Sequence, residues 1–311
     1  MPDAGPVRGE RSGCFAGRPL CPFSPSSGAG GISRSVRDMT IALGTIGVWQ
    51  FIGNATPELA VAAERLGYGT IWLGGSPDGH LQEAETLLGA TERITVATGI
   101  VNMWKDDAAT VAASYHRLEG QHPGRFVLGV GIGHPEANQG YRSPYDKIVE
   151  YCNQLDDAGV PAGRRVLAAL GPKVLELSAE RAGGAHPYLT TPEHTAFARK
   201  VLGSDAVLAP EHKVVLGTDT EAARTVGRKV VKRYLALVNY RQNLLRFGFS
   251  EDDLADGGSD RLVDALVLHG DSDTVARGLR AHLEAGADHI GIQVLGSDLI
   301  PAYEALAEAL T

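Results

Sequence analysis

A chain of 311 residues, 43% of them hydrophobic, can bury a sizeable core, and its length accommodates one (β/α)8 barrel of about 250 residues. Its formal net charge of −8 disfavours nucleic acids and anionic membrane surfaces as partners and leaves small molecules as candidates. The longest apolar stretches, such as residues 94–103, fall short of the roughly 20 residues that cross a bilayer, so no membrane span is expected.

The first 38 residues differ in composition from the rest of the chain. They are rich in Gly, Pro, Ser and Arg, follow neither a helical nor a strand period, and lack the apolar segment of a secretory signal. We therefore expect residues 1–38 to be a disordered tail or an over-extended start, followed by a single domain over residues 40–311. The three cysteines include two in this segment and form no Cys-x-x-Cys pair, which is typical of a chain in the reducing cytoplasm.

From Ile41 onward, short runs of β-branched residues alternate with longer amphipathic stretches. The predicted strands span residues 41–48, 70–73, 94–101, 125–130, 165–169, 184–188, 213–216 and 289–294. Helical patterns begin at Thr56, Leu81, Asp107, Pro144, Pro172, Pro192, Asp219 and Asp271, and a last helix spans residues 301–310.

Eight β-to-α alternations predict a parallel sheet with helices outside it, because parallel strands need crossover connections. A closed (β/α)8 barrel is the favoured architecture, and a doubly wound open sheet is the alternative. An insertion over residues 230–268, after the seventh predicted strand, is interpreted as additional helices.

In a (β/α)8 barrel the loops after the carboxyl ends of the strands form the active site. The loop after the fourth predicted strand begins with three alternating glycines, Gly129, Gly131 and Gly133, followed by His134. Glycines allow a flat ring or a phosphate to approach the backbone, but this spacing does not fit the G-x-G-x-x-G dinucleotide motif. Cofactor contact and a tight turn both remain open.

The loop after the fifth predicted strand opens a helix with Pro172 at its first position. Proline costs no hydrogen bond there, and the amides of Gly171, Lys173 and Val174 stay available for an anion, to which Lys173 adds a positive charge. An ordinary helix start explains the same residues equally well.

Aromatic side chains near other strand ends would line the same mouth. Trp49 follows the first strand, Trp104 follows the third and His186 lies near the end of the sixth, although aromatic residues in such places pack more often than they bind. The histidines form no His-x-x-x-His or His-Glu-x-x-His pair, so no metal site is predicted. The sequence also lacks a Gly-x-Ser-x-Gly elbow and a Walker loop.

Three separated motifs resemble the luciferase-like family, in the branch that uses coenzyme F420, a deazaflavin. They are residues 124–131 (GRFVLGVG), residues 166–177 (VLAALGPKVLEL) with residues 182–188 (AGGAHPY), and residues 286–295 (GADHIGIQVL). This resemblance implies a (β/α)8 barrel, usually a homodimer, with the deazaflavin at the carboxyl-terminal mouth. It also implies a cis peptide at Gly99–Ile100 and cofactor contacts from Gly99, Ile100, Val101, Gly131, Ile132, Gly133, Ala169, Leu170, Gly171, Pro172 and Lys173.

Two departures from the family pattern bear on the substrate. The sugar-phosphate dehydrogenases of this family carry an Asp-His pair where this chain has residues 74–76 (GGS), and a Glu where it has His134. We therefore do not expect a sugar-phosphate substrate.

The expected activity is hydride transfer between F420 and a small organic substrate, with His134 as proton donor or orienting group. Trp49, Trp104 and His186 would shape the substrate pocket. The alternatives are an FMN-dependent monooxygenase and a non-catalytic deazaflavin-binding protein.

Overall fold

The computed structural model describes residues 41–133 and 143–310 of the chain. In these ranges short parallel strands alternate with helices. The strands are β1 Ile46–Phe51, β2 Thr70–Gly74, β3 Thr95–Gly99, β4 Val101–Asn102, β5 Phe126–Gly131, β6 Arg165–Leu167, β7 Gly184–Ala185, β8 Val207–Leu208, β9 Glu211–Leu216, β10 Val267–Gly270 and β11 Ile290–Val294.

The helices pack outside the sheet, and each of the eight predicted starts coincides with the first residue of a helix or the residue before it. They are α1 Pro57–Arg65, α2 Gln82–Ala90, α3 Ala108–Gln121, α4 Pro144–Asp157, α5 Pro172–Arg181, α6 Pro192–Leu202, α7 Thr220–Leu235, α8 Val238–Arg246, α9 Asp260–Leu266, α10 Ser272–Glu284 and α11 Leu299–Leu310. Local side-chain capping explains several starts: the hydroxyl of Thr56 and the carboxylate of Asp107 each accept a first-turn amide. Within the described ranges no helix is long and apolar enough to cross a membrane.

The sheet curls into a ring that closes at the seventh strand. β8 and β9 are the two halves of that strand: β8 pairs with β7, while β9 pairs with β11, which itself pairs with β1. At the junction between the halves, the amide of Ala209 donates to Ala185 and the carbonyl of Pro210 accepts from Gly291, both at 2.9 Å. One strand therefore joins the sixth and eighth strands, and the predicted (β/α)8 barrel is confirmed.

A bulge interrupts the third strand between β3 and β4. Ala97 lies opposite Val127 and Val101 lies opposite Val130, so four steps along one strand face three along its neighbour. The Thr98 hydroxyl satisfies the interrupted ladder, since it donates to the Gly129 carbonyl at 2.7 Å and accepts from the Gly129 amide at 2.9 Å. The Gly99–Ile100 peptide in this bulge is cis, as predicted.

Besides shifts of a few residues at several strand ends, the predicted strands differ from the observed ones in three places. The first strand begins at Ile46, because residues 41–45 cross the amino-terminal end of the barrel, where buried Ile41 and Leu43 join the core. The insertion contributes α8 and α9 as expected, but it ends in the unpredicted strand β10, which pairs with the far half of β9. The short strand β8 was also missed.

Two tryptophans and two histidines form a hydrogen-bonded cluster inside the barrel. The Trp72 indole donates to His289 Nε2 at 2.9 Å and stacks on His186 with ring centres 4.1 Å apart. The Trp49 indole donates to His186 Nε2 at 3.2 Å. Each imidazole therefore accepts at Nε2 and donates through Nδ1, His186 to Ala209 and His289 to Gly44. This pattern requires neutral rings, and burial lowers the pKa of both histidines to about 4.

A buried ion pair lies on β9. Lys213 Nζ is 2.8 and 2.9 Å from the two carboxylate oxygens of Glu211, and both side chains have 0% exposure. The same carboxylate accepts the Leu189 amide at 3.2 Å, and Lys213 Nζ lies 3.7 Å from the centre of the Tyr188 ring. Burial raises the pKa of Glu211 and lowers the pKa of Lys213. The pair thus fixes the loop that follows β7.

We expect acidification to destabilise the fold between pH 6.5 and pH 4. The unfolded chain takes up protons as the pH falls through the ordinary histidine pKa of 6.5, whereas His186 and His289 in the folded chain do so only near pH 4. Stability present above pH 6.5 is therefore lost as the pH falls, by at most about 2 kcal/mol per histidine at pH 5. Urea unfolding at pH 7.5 and pH 5.0 measures the loss. His289→Gln should narrow the difference, and equal stability of the wild type at both pH values would contradict the expectation.

Removing one member of the buried ion pair should lower the unfolding free energy far more than removing one member of an exposed ion pair. Lys213→Met leaves the Glu211 carboxylate buried without its cation, which should lower the unfolding free energy by about 3–5 kcal/mol. The double variant with Glu211→Gln should lose less than the sum of the two single variants. Arg65→Ala, which breaks an exposed pair with Glu304, serves as control and should cost under about 1 kcal/mol. Additive losses in denaturant unfolding would argue against the coupling.

Candidate functional site

The predicted cofactor residues lie at one rim of the barrel. β5 pairs with β4 on one edge and with β6 on the other, and all three strands are parallel. The segments that follow their carboxyl ends are therefore neighbours. The structure brings together the turns containing Gly99, Ile100 and Val101, then Gly131, Ile132 and Gly133, then Ala169, Leu170, Gly171, Pro172 and Lys173.

Gly131 lies where these three strands converge. A Cβ atom there would be 2.8 Å from the Ala168 Cβ and 3.1 Å from Ile100 Cγ1, so a larger residue would not fit without movement. The next glycine, Gly133, has a φ of +60°, and a Cβ there would be 2.6 Å from Asn102 Nδ2. The glycine-rich turn therefore packs directly against the end of the third strand, and Gly131 and Gly133 project no side chain from it.

The start of α5 offers free backbone amides beside that turn. Its N-cap is Gly171, which has no capping side chain, and its first residue is Pro172. Among the described residues, the amides of Gly171, Lys173 and Val174 donate no hydrogen bond, and the first bond of the helix runs from Leu175 to the Gly171 carbonyl. A Cβ atom on Gly171 would meet nothing within 4 Å, so the space beside this residue is open. Exposed Lys173 adds a positive charge. This arrangement can bind an anion.

Two of the predicted pocket residues are buried beneath the rim. Trp49 and His186 are 1% and 2% exposed, and a Cβ atom on Gly99 would lie 2.7 Å from Trp49 Nε1 and 3.1 Å from His186 Nε2. They therefore support the bulge of the third strand from inside the barrel. Trp104 is partly exposed, with Lys147 Nζ 5.6 Å from its ring centre. The assignment of these three residues to a substrate pocket stays a prediction.

His134, the predicted proton donor, lies outside the described residues, which stop at Gly133 and resume at Ser143. Its role stays a prediction. Within the described ranges no group of three or more His, Cys, Asp or Glu side chains is arranged to hold a metal ion.

Sequence reasoning missed a polar cluster on the far side of the mouth. The Tyr234 hydroxyl donates to the Tyr188 hydroxyl at 3.0 Å, and Tyr188 in turn donates to Gln293 Oε1 at 3.4 Å. Burial raises the pKa of Tyr188, so its phenol stays protonated and can act as a hydrogen-bond donor. The sequence signal for this cluster was the pair Glu211 and Lys213, because charged residues two apart on a strand share one face. Lys213 Nζ lies over the Tyr188 ring, so this pair adjoins the cluster.

A family model described as luciferase-like monooxygenase matches residues 46–159, the segment from β1 to the residues just after α4. This match includes the first of the three motifs and the whole glycine-rich turn. No curated protein matches the sequence of the chain.

Solved structures resemble the chain over most of its length. An F420-dependent secondary alcohol dehydrogenase, in complex with an F420-acetone adduct, has a TM-score of 0.69 at 14% identity, over 86% of this chain and 99% of that one. The coenzyme F420-dependent tetrahydromethanopterin reductase of Methanopyrus kandleri has a TM-score of 0.64 at 16% identity, over 86% and 99%. The FMN complex of the oxygenating constituent of 3,6-diketocamphane monooxygenase, from the CAM plasmid of Pseudomonas putida, has a TM-score of 0.61 at 18% identity, over 86% and 96%.

Identities of 14–18% bear on the fold alone. The family match adds the luciferase-like sequence pattern in the first half of the barrel. The resemblance to the luciferase-like family is thereby confirmed in sequence over residues 46–159, and the solved structures show the same barrel fold over most of the chain.

Proposed function

We propose that the chain is an oxidoreductase that binds the deazaflavin F420 at the carboxyl-terminal rim of its barrel and acts on a small organic substrate. The observation that carries this proposal is the open, uncapped start of α5 next to the glycine-rich turn after β5. A phosphate and a flat ring joined in one molecule would occupy these two neighbouring features together.

The residues present fit such a molecule. Gly131 and Gly133 project no side chain at the turn, and partly buried Ile100 and Ile132 offer apolar contact for a ring face. The amides of Gly171, Lys173 and Val174 can bind one phosphate, helped by the positive end of the helix dipole. Lys173 neutralises part of the phosphate charge.

A bound deazaflavin would supply the hydride chemistry. The chain has to orient an acceptor, keep water away from it and handle one proton. The filled interior below Gly99, formed by Trp49 and His186, closes the site from beneath and keeps water out on that side. We further propose that His134, one residue beyond Gly133, donates the proton or orients the substrate, because an imidazole with an ordinary pKa near 6.5 serves either role.

An FMN-dependent monooxygenase is the second candidate. It gains support from the structural likeness to the monooxygenase that was solved with FMN. FMN also joins a flat tricyclic ring to a phosphate, so the rim suits both molecules. A third outcome, binding without turnover, is supported by the replacement of the Asp-His pair by residues 74–76.

Titration of the purified chain with F420 and with FMN, followed by fluorescence, tests the proposal. We expect the tighter binding for F420, while tighter binding of FMN would favour the monooxygenase. Binding of neither molecule would refute both candidates. Tight F420 binding with no hydride exchange across a broad panel of acceptors would favour the non-catalytic alternative.

Gly171→Asp and Gly171→Asn form a matched pair for the phosphate contact, because they differ in charge but hardly in size, and the site has open space for either. Gly171→Asp should weaken binding of FMN and F420 about tenfold more than Gly171→Asn does, since a carboxylate repels the phosphate. Riboflavin, which lacks the phosphate, serves as control and should bind both variants alike. Equal effects of the two variants on FMN would place the phosphate elsewhere.

His134→Ala tests the proposed proton role. We expect the turnover rate with an accepted substrate to fall about 10²-fold or more, as for loss of a general acid, with little change in cofactor affinity. Unchanged turnover would remove His134 from the mechanism.

A further inference from the structure

The loop before α5 is held by a histidine from the next helix. His194, in the first turn of α6, places Nε2 2.9 Å from the Leu170 carbonyl oxygen. A carbonyl oxygen only accepts, so Nε2 must carry the proton and Nδ1 must be the unprotonated nitrogen. His194 is 1% exposed, and its Nδ1 has no hydrogen-bond partner among the described residues.

This contact fixes the direction of one amide that faces the proposed anion site. Leu170 and Gly171 share a peptide group, and in a planar trans peptide the carbonyl and the following N–H point in opposite directions. Holding the Leu170 carbonyl on the His194 side therefore turns the Gly171 N–H to the other side. Glycine at this place has no side chain to restrict rotation of the peptide, so an external contact is needed to fix it.

The ring of His194 is itself held firmly. It packs edge-on against Phe247, with ring centres 5.2 Å apart, and lies 6.3 Å from Phe197. Phe247 follows α8 directly, so the insertion after the seventh strand contributes one of the side chains that pack against the His194 ring. Burial lowers the pKa of His194 to about 4, which keeps the ring neutral at physiological pH.

We propose that His194 is a positioning residue for phosphate recognition: its Nε2–H bond to Leu170 aims the Gly171 amide at the phosphate of the cofactor. This inference rests on the proposed function, because it needs a phosphate at the start of α5. His194 touches no ligand itself. Its effect should be confined to ligands that carry a phosphate.

His194→Asn and His194→Gln give a matched test. The amide of Gln reaches the place of Nε2 and can still donate to Leu170, whereas the shorter Asn places its amide near Nδ1 and cannot. Affinities for FMN and for riboflavin are measured by fluorescence titration of each variant. We expect His194→Asn to weaken FMN binding about tenfold, His194→Gln to stay within about threefold of the wild type, and riboflavin binding to be unchanged in both.

The outcomes separate this inference from the proposed function. If FMN and F420 both fail to bind the wild type, the proposed function is refuted, and this inference is refuted with it. If the wild type prefers FMN to riboflavin and His194→Asn keeps that preference, the positioning role is wrong. An equal loss of FMN and riboflavin binding would show that His194 merely maintains the fold.

A second measurement covers the case in which His194→Asn does not fold. Nitrogen NMR of the wild type, with ¹⁵N-labelled histidine, reports the tautomer of His194. We expect a proton on Nε2 and a shift of its signal on addition of FMN but not of riboflavin. A proton on Nδ1, or no response to FMN, would overturn the inference.

Discussion

The closure of the barrel at residues 207–216 is the constraint on which the rest of the structure depends. β8 pairs backward with β7 and β9 pairs forward with β11, and the break at Ala209 and Pro210 lets one strand serve both neighbours. Because every strand runs parallel, closure places all carboxyl ends at one rim. Segments that are far apart in the sequence, such as those ending at Gly133 and Gly171, become neighbours at this rim because β5 and β6 pair in parallel.

Large buried side chains pack the barrel interior below that rim. The indoles of Trp49 and Trp72 donate to the Nε2 atoms of His186 and His289, whose Nδ1 atoms bond to the carbonyls of Ala209 and Gly44, so all ring nitrogens of these four side chains are paired. At the rim, these large side chains leave no room for a side chain on Gly74, because a Cβ atom there would lie 2.0 Å from the Trp49 ring. Large side chains inside the barrel and glycines at its rim are thus two parts of the same packing arrangement.

Features of the fold that depend on residues close together in the sequence could be predicted, and features that depend on distant residues could not. Helix starts followed from residues such as Thr56 and Asp107, because a capping hydroxyl or carboxylate acts within three residues. The rim residues followed from the alternation of elements and from the family motifs. β8 and β10 were missed, since two to four residues carry no readable period and their pairing depends on distant strands. The contact of His194 could not be predicted from the sequence, because its partner, Leu170, is 24 positions away.

The rim is shaped less by its own residues than by buried side chains that hold its backbone. Thr98 satisfies Gly129 at the bulge, Glu211 accepts the amide of Leu189, whose φ is +55°, and His194 holds the Leu170 carbonyl. Each case couples a buried polar side chain to a backbone group that would otherwise be unpaired, which costs about 1–3 kcal/mol. The backbone therefore has one favourable arrangement at these points. A loop fixed in this way can present bare amides to a ligand without first paying conformational entropy, so the preorganisation of the site resides in the layer below it.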